Sequence, residues 1–136
     1  MADVALSFIE VRGGFRRWAP VAAWMAVIFA LSSRPLPASV SRVPDWVTHG
    51  AGYAILCALL CRALARGLRR ATPLRAAIAA VAISVLYGVT DEFHQSFVPG
   101  RQADPWDLVK DLGGASVAAA ACAWPRSSEE QWKEAA

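Results

Sequence analysis

Four stretches of the chain, 18–33, 46–61, 76–90 and 112–125, contain no Lys, Arg, Asp or Glu. Each is shorter than the roughly 20 apolar residues that span a hydrocarbon core, so length alone does not assign them to a membrane. Their internal pattern does. A helix on the surface of a soluble domain needs a polar stripe opposite its apolar one. Residues 76–89 read AAIAAVAISVLYGV and 112–123 read LGGASVAAAACA, and neither has such a stripe. Four helices that are apolar all round cannot all be interior in a 136-residue soluble fold. The pattern predicts an all-α protein: one domain over 1–136, an integral membrane bundle of four transmembrane helices. The spans are expected at about 18–33, 45–66, 73–97 and 105–124.

Local signals set the ends. Residues 1–15 are mixed and suit a short amphipathic helix on the membrane surface. Pro35, Pro37 and Pro44 keep the first connection irregular. Thr72-Pro73 and Asp104-Pro105 each read as an N-cap followed by proline at the first helical position. Asp107, three residues after Asp104, completes a pair like a capping box. Trp18, Trp46, Trp106 and Trp124 fall at the ends of the runs, where an indole suits the interface. Trp24 lies inside the first run and suits a core. Gly50 with Ala54, and Gly114 with Ala118, are small pairs that let helices approach closely.

Composition and charge sharpen the picture. Hydrophobic residues make up 56% of the chain, charged residues only 18%, and the formal net charge is +3. The basic residues flank the spans instead of interleaving with aromatics, so no nucleic-acid partner is expected. Arg12, Arg16, Arg17, Arg62, Arg66, Arg69, Arg70, Arg75, Arg126 and Lys133 would share one side of a four-span protein. Only Arg34, Arg42, Arg101 and Lys110 would share the other. Ten against four places both termini in the cytoplasm. A multi-pass protein of a cytoplasmic membrane follows, with the first run retained as a span and not cleaved as a signal peptide.

Asp45, His49, Asp91, Glu92, His94, Asp104, Asp107 and Asp111 then gather towards the outer face. Asp45, His49 and Tyr53 recur at i, i+4 and i+8 and share a stripe. Asp91 and Gln95 share a face of the third helix, and Glu92 and Gln95 share the adjacent one. Asp107, Lys110 and Asp111 lie together on the fourth. Asp91 and Glu92 end a long apolar run, where charge costs roughly 2.5–3.5 kcal/mol on insertion scales. Adjacent carboxylates repel, which leaves a proton available for acid/base work. Glu92 and Asp91, with His49 as proton partner, are therefore the candidate catalytic groups. Arg101, Gln95, Asp107, Tyr53, Asp45 and His94 are candidate ligand-binding groups. An ion pair between Arg101 and the carboxylates is the structural alternative. His49 and His94 beside carboxylates could hold a divalent cation, but neither H-x-x-x-H nor a doubled E-x-x-H occurs, so no metal or other cofactor is expected. His49 is expected to hydrogen-bond an acid across a helix interface. Cys57, Cys61 and Cys122 read as small hydrophobes without a disulfide.

D-W-V-T-H at 45–49 with Tyr53, D-E-F-H-Q at 91–95, P-G-R at 99–101 and D-P-W-D-L-V-K-D-L-G-G at 104–114 resemble the VanZ-like family of small bacterial membrane proteins. The resemblance runs from Asp45 to Gly114. Trp46 stands where the family commonly has Lys, and Asp111 where it commonly has Asn. The resemblance implies Asp45, His49, Tyr53, Asp91, Glu92, Gln95, Arg101 and Asp107 as signature residues, and a link to resistance against the glycopeptide teicoplanin. The expected partner is a membrane lipid or a lipid-linked cell-wall intermediate. An enzyme on a lipid-linked substrate, or a small transporter or accessory subunit working with a second copy or a partner membrane protein, are the alternatives.

Overall fold

The computed structural model describes residues 2–35, 44–65 and 71–125, with side chains from Gly14 onward. Among these residues the protein is all-α, with α1 Ala2–Ser32, α2 Asp45–Leu64, α3 Leu74–Gln95 and α4 Pro105–Ala123. Both α2 and α3 are long and apolar enough to cross a membrane. The 20 residues of α2 reach about 30 Å at 1.5 Å per residue, the thickness of a hydrocarbon core.

The four expected elements are present, with different ends. Instead of a separate surface segment and a span from Trp18, α1 is one 31-residue helix through Pro20. A proline has no N–H to give the carbonyl four residues back. Arg62 supplies a substitute: its Nη2 donates to the Arg16 carbonyl at 3.5 Å and to that of Arg17 at 3.1 Å. The expected start of α3 needs a second correction. Pro73 is itself the cap residue, with φ −56° and ψ 139°. The Thr72 hydroxyl caps nothing and is buried without a partner. Thr72 donates its backbone N–H to the Cys122 carbonyl at 2.8 Å instead, tying α3 to the end of α4. At α4 the cap-and-proline reading holds, with Asp104 accepting the Trp106 N–H at 2.9 Å. The expected end of α2 near Arg66, the connection with Pro37, and Arg42, Arg66, Arg69, Arg70, Arg126 and Lys133 lie outside the described residues, as does the side chain of Arg12.

The core is narrow and built from small groups. Leu56, Cys57, Leu60 and Cys61 of α2 meet Ala80 and Ser84 of α3 and Ala115 and Ala119 of α4. The three cysteines are free thiols. Packing is most extensive between α2 and α4, where the two glycines singled out from the sequence cross. A Cβ on Gly114 would fall 2.7 Å from the Gly50 carbonyl carbon and 2.8 Å from its Cα. Only glycine permits that approach. Large apolar side chains point outward instead: Phe29, Leu31, Ile78, Leu86, Phe93 and Val117 are all at least half exposed. Trp46, Trp106 and Trp124 are exposed at helix ends. Trp24 is packed against the core and donates Nε1–H to the Gly52 carbonyl at 2.9 Å.

Candidate functional site

The crossing at Gly50 and Gly114 brings the first turns of α2 and α4 side by side, and both carry acids. Asp45 and Asp107 lie at helix N-termini, where the helix dipole favours negative charge. His49, one turn into α2, faces α4. Its Nδ1 lies 3.1 Å from Asp111 Oδ1, and Asp111 is 1% exposed. Its Nε2 lies 3.4 Å from Asp107 Oδ2 and 3.8 Å from Asp45 Oδ1. The Lys110 ammonium bridges the far oxygens, bonding Asp45 Oδ2 and, at 2.5 Å, Asp107 Oδ1. His49 thus bonds an acid across the interface, as its position implied. Asp111, set apart in the sequence because it breaks the family pattern, is the best-buried member of the cluster. Its spacing of four from Asp107 was the available signal. Asp107 is not the second half of a capping box, because it is turned towards His49 and Lys110.

A second cluster forms where α3 meets α1. Asp91 accepts from Ser32 Oγ at 2.5 Å and from Gln95 Nε2 at 3.0 Å. Glu92 accepts from Gln95 Nε2 at 3.4 Å and from the Asp104 backbone N–H at 2.9 Å. Gln95 therefore serves both carboxylates, as the shared faces predicted. Ser32 was not anticipated, since nothing in its own run marks which neighbour it meets. Both acids are buried, at 5% and 8% exposure. No hydrogen bond joins Glu92 to His49 among the described residues.

Arg101 makes no ion pair with these acids. Its Nε donates to the Arg34 carbonyl at 2.9 Å and its Nη2 to the Leu31 carbonyl at 2.8 Å. The Leu31 carbonyl lies in the last turn of α1 and that of Arg34 just beyond it, so Arg101 satisfies acceptors that the helix leaves over at its C-terminus. The preceding Gly100 has φ +82°, a conformation glycine adopts without steric cost. His94 is also drawn to α1. It stacks on Phe29 with centroids 4.3 Å apart, and its Nε2 lies 3.0 Å from Ser33 Oγ. The two histidines do not converge. Tyr53 lies one turn below His49, 3% exposed, with a hydroxyl that has no partner.

Between the clusters is an open pocket of about 360 Å³, lined by Asp45, His49, Gln95, Gly100, Arg101, Gln102, Asp104 and Asp107. Every lining residue but the glycine is polar. Seven of the nine proposed site residues line this pocket or bond directly to a residue that does; His94 and Tyr53 do neither.

The VanZ/LLP1 family model matches residues 15–125, which takes in α2, α3, α4 and α1 from Phe15 onward. The chain belongs to the VanZ/LLP1 family. Membership together with two membrane-length apolar helices points to a membrane protein. No curated protein and no solved structure matches the chain.

Proposed function

We propose that this VanZ-like protein crosses a bacterial cytoplasmic membrane four times and engages a cell-envelope lipid or peptidoglycan-type ligand at its outer face. Both termini are cytoplasmic in this reading, and the protein contributes to glycopeptide resistance of the teicoplanin type. The observation that carries it is the convergence of α2, α3 and the 99–104 turn on one polar pocket. The same end of the bundle holds buried carboxylates that a purely structural helix pair would avoid. Asp45, His49, Asp107, Gln95 and Arg101 form the wall that a headgroup would meet. Asp91 and Glu92 brace that wall from behind.

The test uses the full-length protein in lipid nanodiscs. Native mass spectrometry should find an envelope lipid or lipid-linked precursor retained above bulk lipid. His49→Ala and Arg101→Ala should lower that retention and, in a bacterial host, teicoplanin tolerance. Retention equal to bulk lipid, with tolerance unchanged by either variant, would sink the proposal. A second reading is an acid/base enzyme on a lipid-linked substrate. The His49–Asp111 pair favours it, because a buried carboxylate at Nδ1 orients the ring and leaves Nε2 towards the pocket. Turnover of such a substrate, lost in Asp111→Asn, would separate the enzyme from the binder.

A further inference from the structure

His49 is held as metal-ligating histidines are held. An imidazole that gives its Nδ1 proton to a carboxylate presents a lone pair at Nε2. Asp111 stands 3.1 Å from Nδ1 and is almost fully buried. The Nε2 lone pair then faces Asp107 Oδ2 at 3.4 Å and Asp45 Oδ1 at 3.8 Å. One ligand atom from each of these three residues lies within 4.8 Å of the other two. Ligand atoms about 2.1 Å from an ion sit roughly 3.0 Å apart at right angles and roughly 3.4 Å apart at the tetrahedral angle. The group needs little contraction to close on a cation.

Two observations bear on what belongs there. Asp45 Oδ1 and Asp107 Oδ2 converge on Nε2, so a proton on the ring or a cation must stand between them. Lys110 does not take that place, because it bonds the opposite oxygens, Asp45 Oδ2 and Asp107 Oδ1. By formal charge, three aspartates against Lys110, with the ring neutral, leave two negative charges, which one divalent ion would neutralise. One turn below His49, the buried Tyr53 hydroxyl has no partner.

We propose that His49, Asp45 and Asp107 bind a divalent transition-metal cation at the polar end of the α2–α4 seam. Asp111 and Lys110 orient the ligands, and the remaining coordination positions open to the pocket. One imidazole and two carboxylates suit Mn²⁺, Fe²⁺ or Zn²⁺ better than soft monovalent copper. This proposal departs from the expectation that no metal binds. The ligands come from two helices more than fifty residues apart, so no local spacing announces them. The cation also deepens the proposed function, and in this part rests on it. Asp45, Asp104 and Asp107 line the pocket and would repel a phosphate-bearing headgroup, which a cation with open positions would attract.

The test is a Mn²⁺ titration of the full-length protein in zwitterionic nanodiscs, followed by electron paramagnetic resonance. Mn²⁺ is the probe because the thiols of Cys57, Cys61 and Cys122 compete poorly for a hard ion. One Mn²⁺ should bind per chain with a nitrogen hyperfine coupling from imidazole. His49→Gln should abolish that coupling, and Asp107→Asn should weaken binding at least about tenfold. Asp111→Asn should keep the ion but weaken it by about 10–100-fold. Absence of saturable binding to millimolar Mn²⁺ would overturn the site. So would wild-type binding without nitrogen coupling, a result that needs no variant to fold. A bound ion with no effect on retention of phosphate-bearing lipid would leave the metal site standing and remove the ligand reading alone.

Discussion

The polar end of this bundle holds two acidic clusters side by side, and they are built on opposite plans. Around Asp91 and Glu92, the carboxylate oxygens are met by neutral donors: a serine hydroxyl, a glutamine amide and a backbone N–H. Around His49, the acids are met by other charged or titratable groups, and oxygens of Asp45 and Asp107 face an imidazole nitrogen. The first cluster is closed and holds α3 to α1 and to the start of α4. The second opens on the pocket. Buried charge is costly in either plan. Full satisfaction by fixed donors makes a joint, whereas acids and an imidazole gathered on an open pocket leave room for a ligand.

The comparison can be broken at the α2–α4 crossing. Gly114→Ala puts a Cβ against the Gly50 backbone, and no side chain can move to admit it. It should cost about 3 kcal/mol and separate His49 from Asp111, while Ser32 and Asp91 stay bonded. Thermal unfolding in detergent measures the cost, and disulfide trapping of paired cysteines on each seam reports which one opened. His49→Ala should come next. It strands the buried Asp111 carboxylate and should cost about 2–3 kcal/mol. Adding Asp111→Leu should recover much of that loss. A double variant no better than the single would show that His49 and Asp111 do not act as a pair.

Gln95→Leu tests the closed plan. It removes the donor shared by Asp91 and Glu92 and should cost about 1–3 kcal/mol. Metal binding at His49 should survive, because no bond joins the ring to Gln95 among the described residues. The smallest effect belongs to Arg101→Lys. A lysine cannot reproduce the paired guanidinium bonds to the Leu31 and Arg34 carbonyls. The loss should be about 0.5–1 kcal/mol, since those bonds are exposed. Hydrogen exchange should show the last turn of α1 opening faster, with α2 and α4 unchanged.

Much of this was legible in the chain. Uncharged runs located four helices, because an apolar run without a polar stripe has few places to go. Asp104-Pro105 announced the start of α4 through a cap that needs no distant partner, and Gly50 and Gly114 announced a close crossing. Thr72-Pro73 misled for the same local reason: the backbone N–H of Thr72 found a better acceptor on α4, and its hydroxyl was left out of the cap. The alternative ion pair between Arg101 and the acids does not form, because the carbonyls at the end of α1 hold the guanidinium.

The sequence by itself determined which side chains share a helix face, since 3.6 residues per turn put Asp45 with His49, Asp91 with Gln95 and Asp107 with Asp111. Tertiary structure alone decided which faces meet. His49 reaches Asp111 and not Glu92, and Ser32 reaches Asp91, because the rotation of each helix is set by packing at the Gly50–Gly114 crossing and along the alanine-lined core. Periodicity is a property of one helix, but a pair of polar groups across a seam belongs to two.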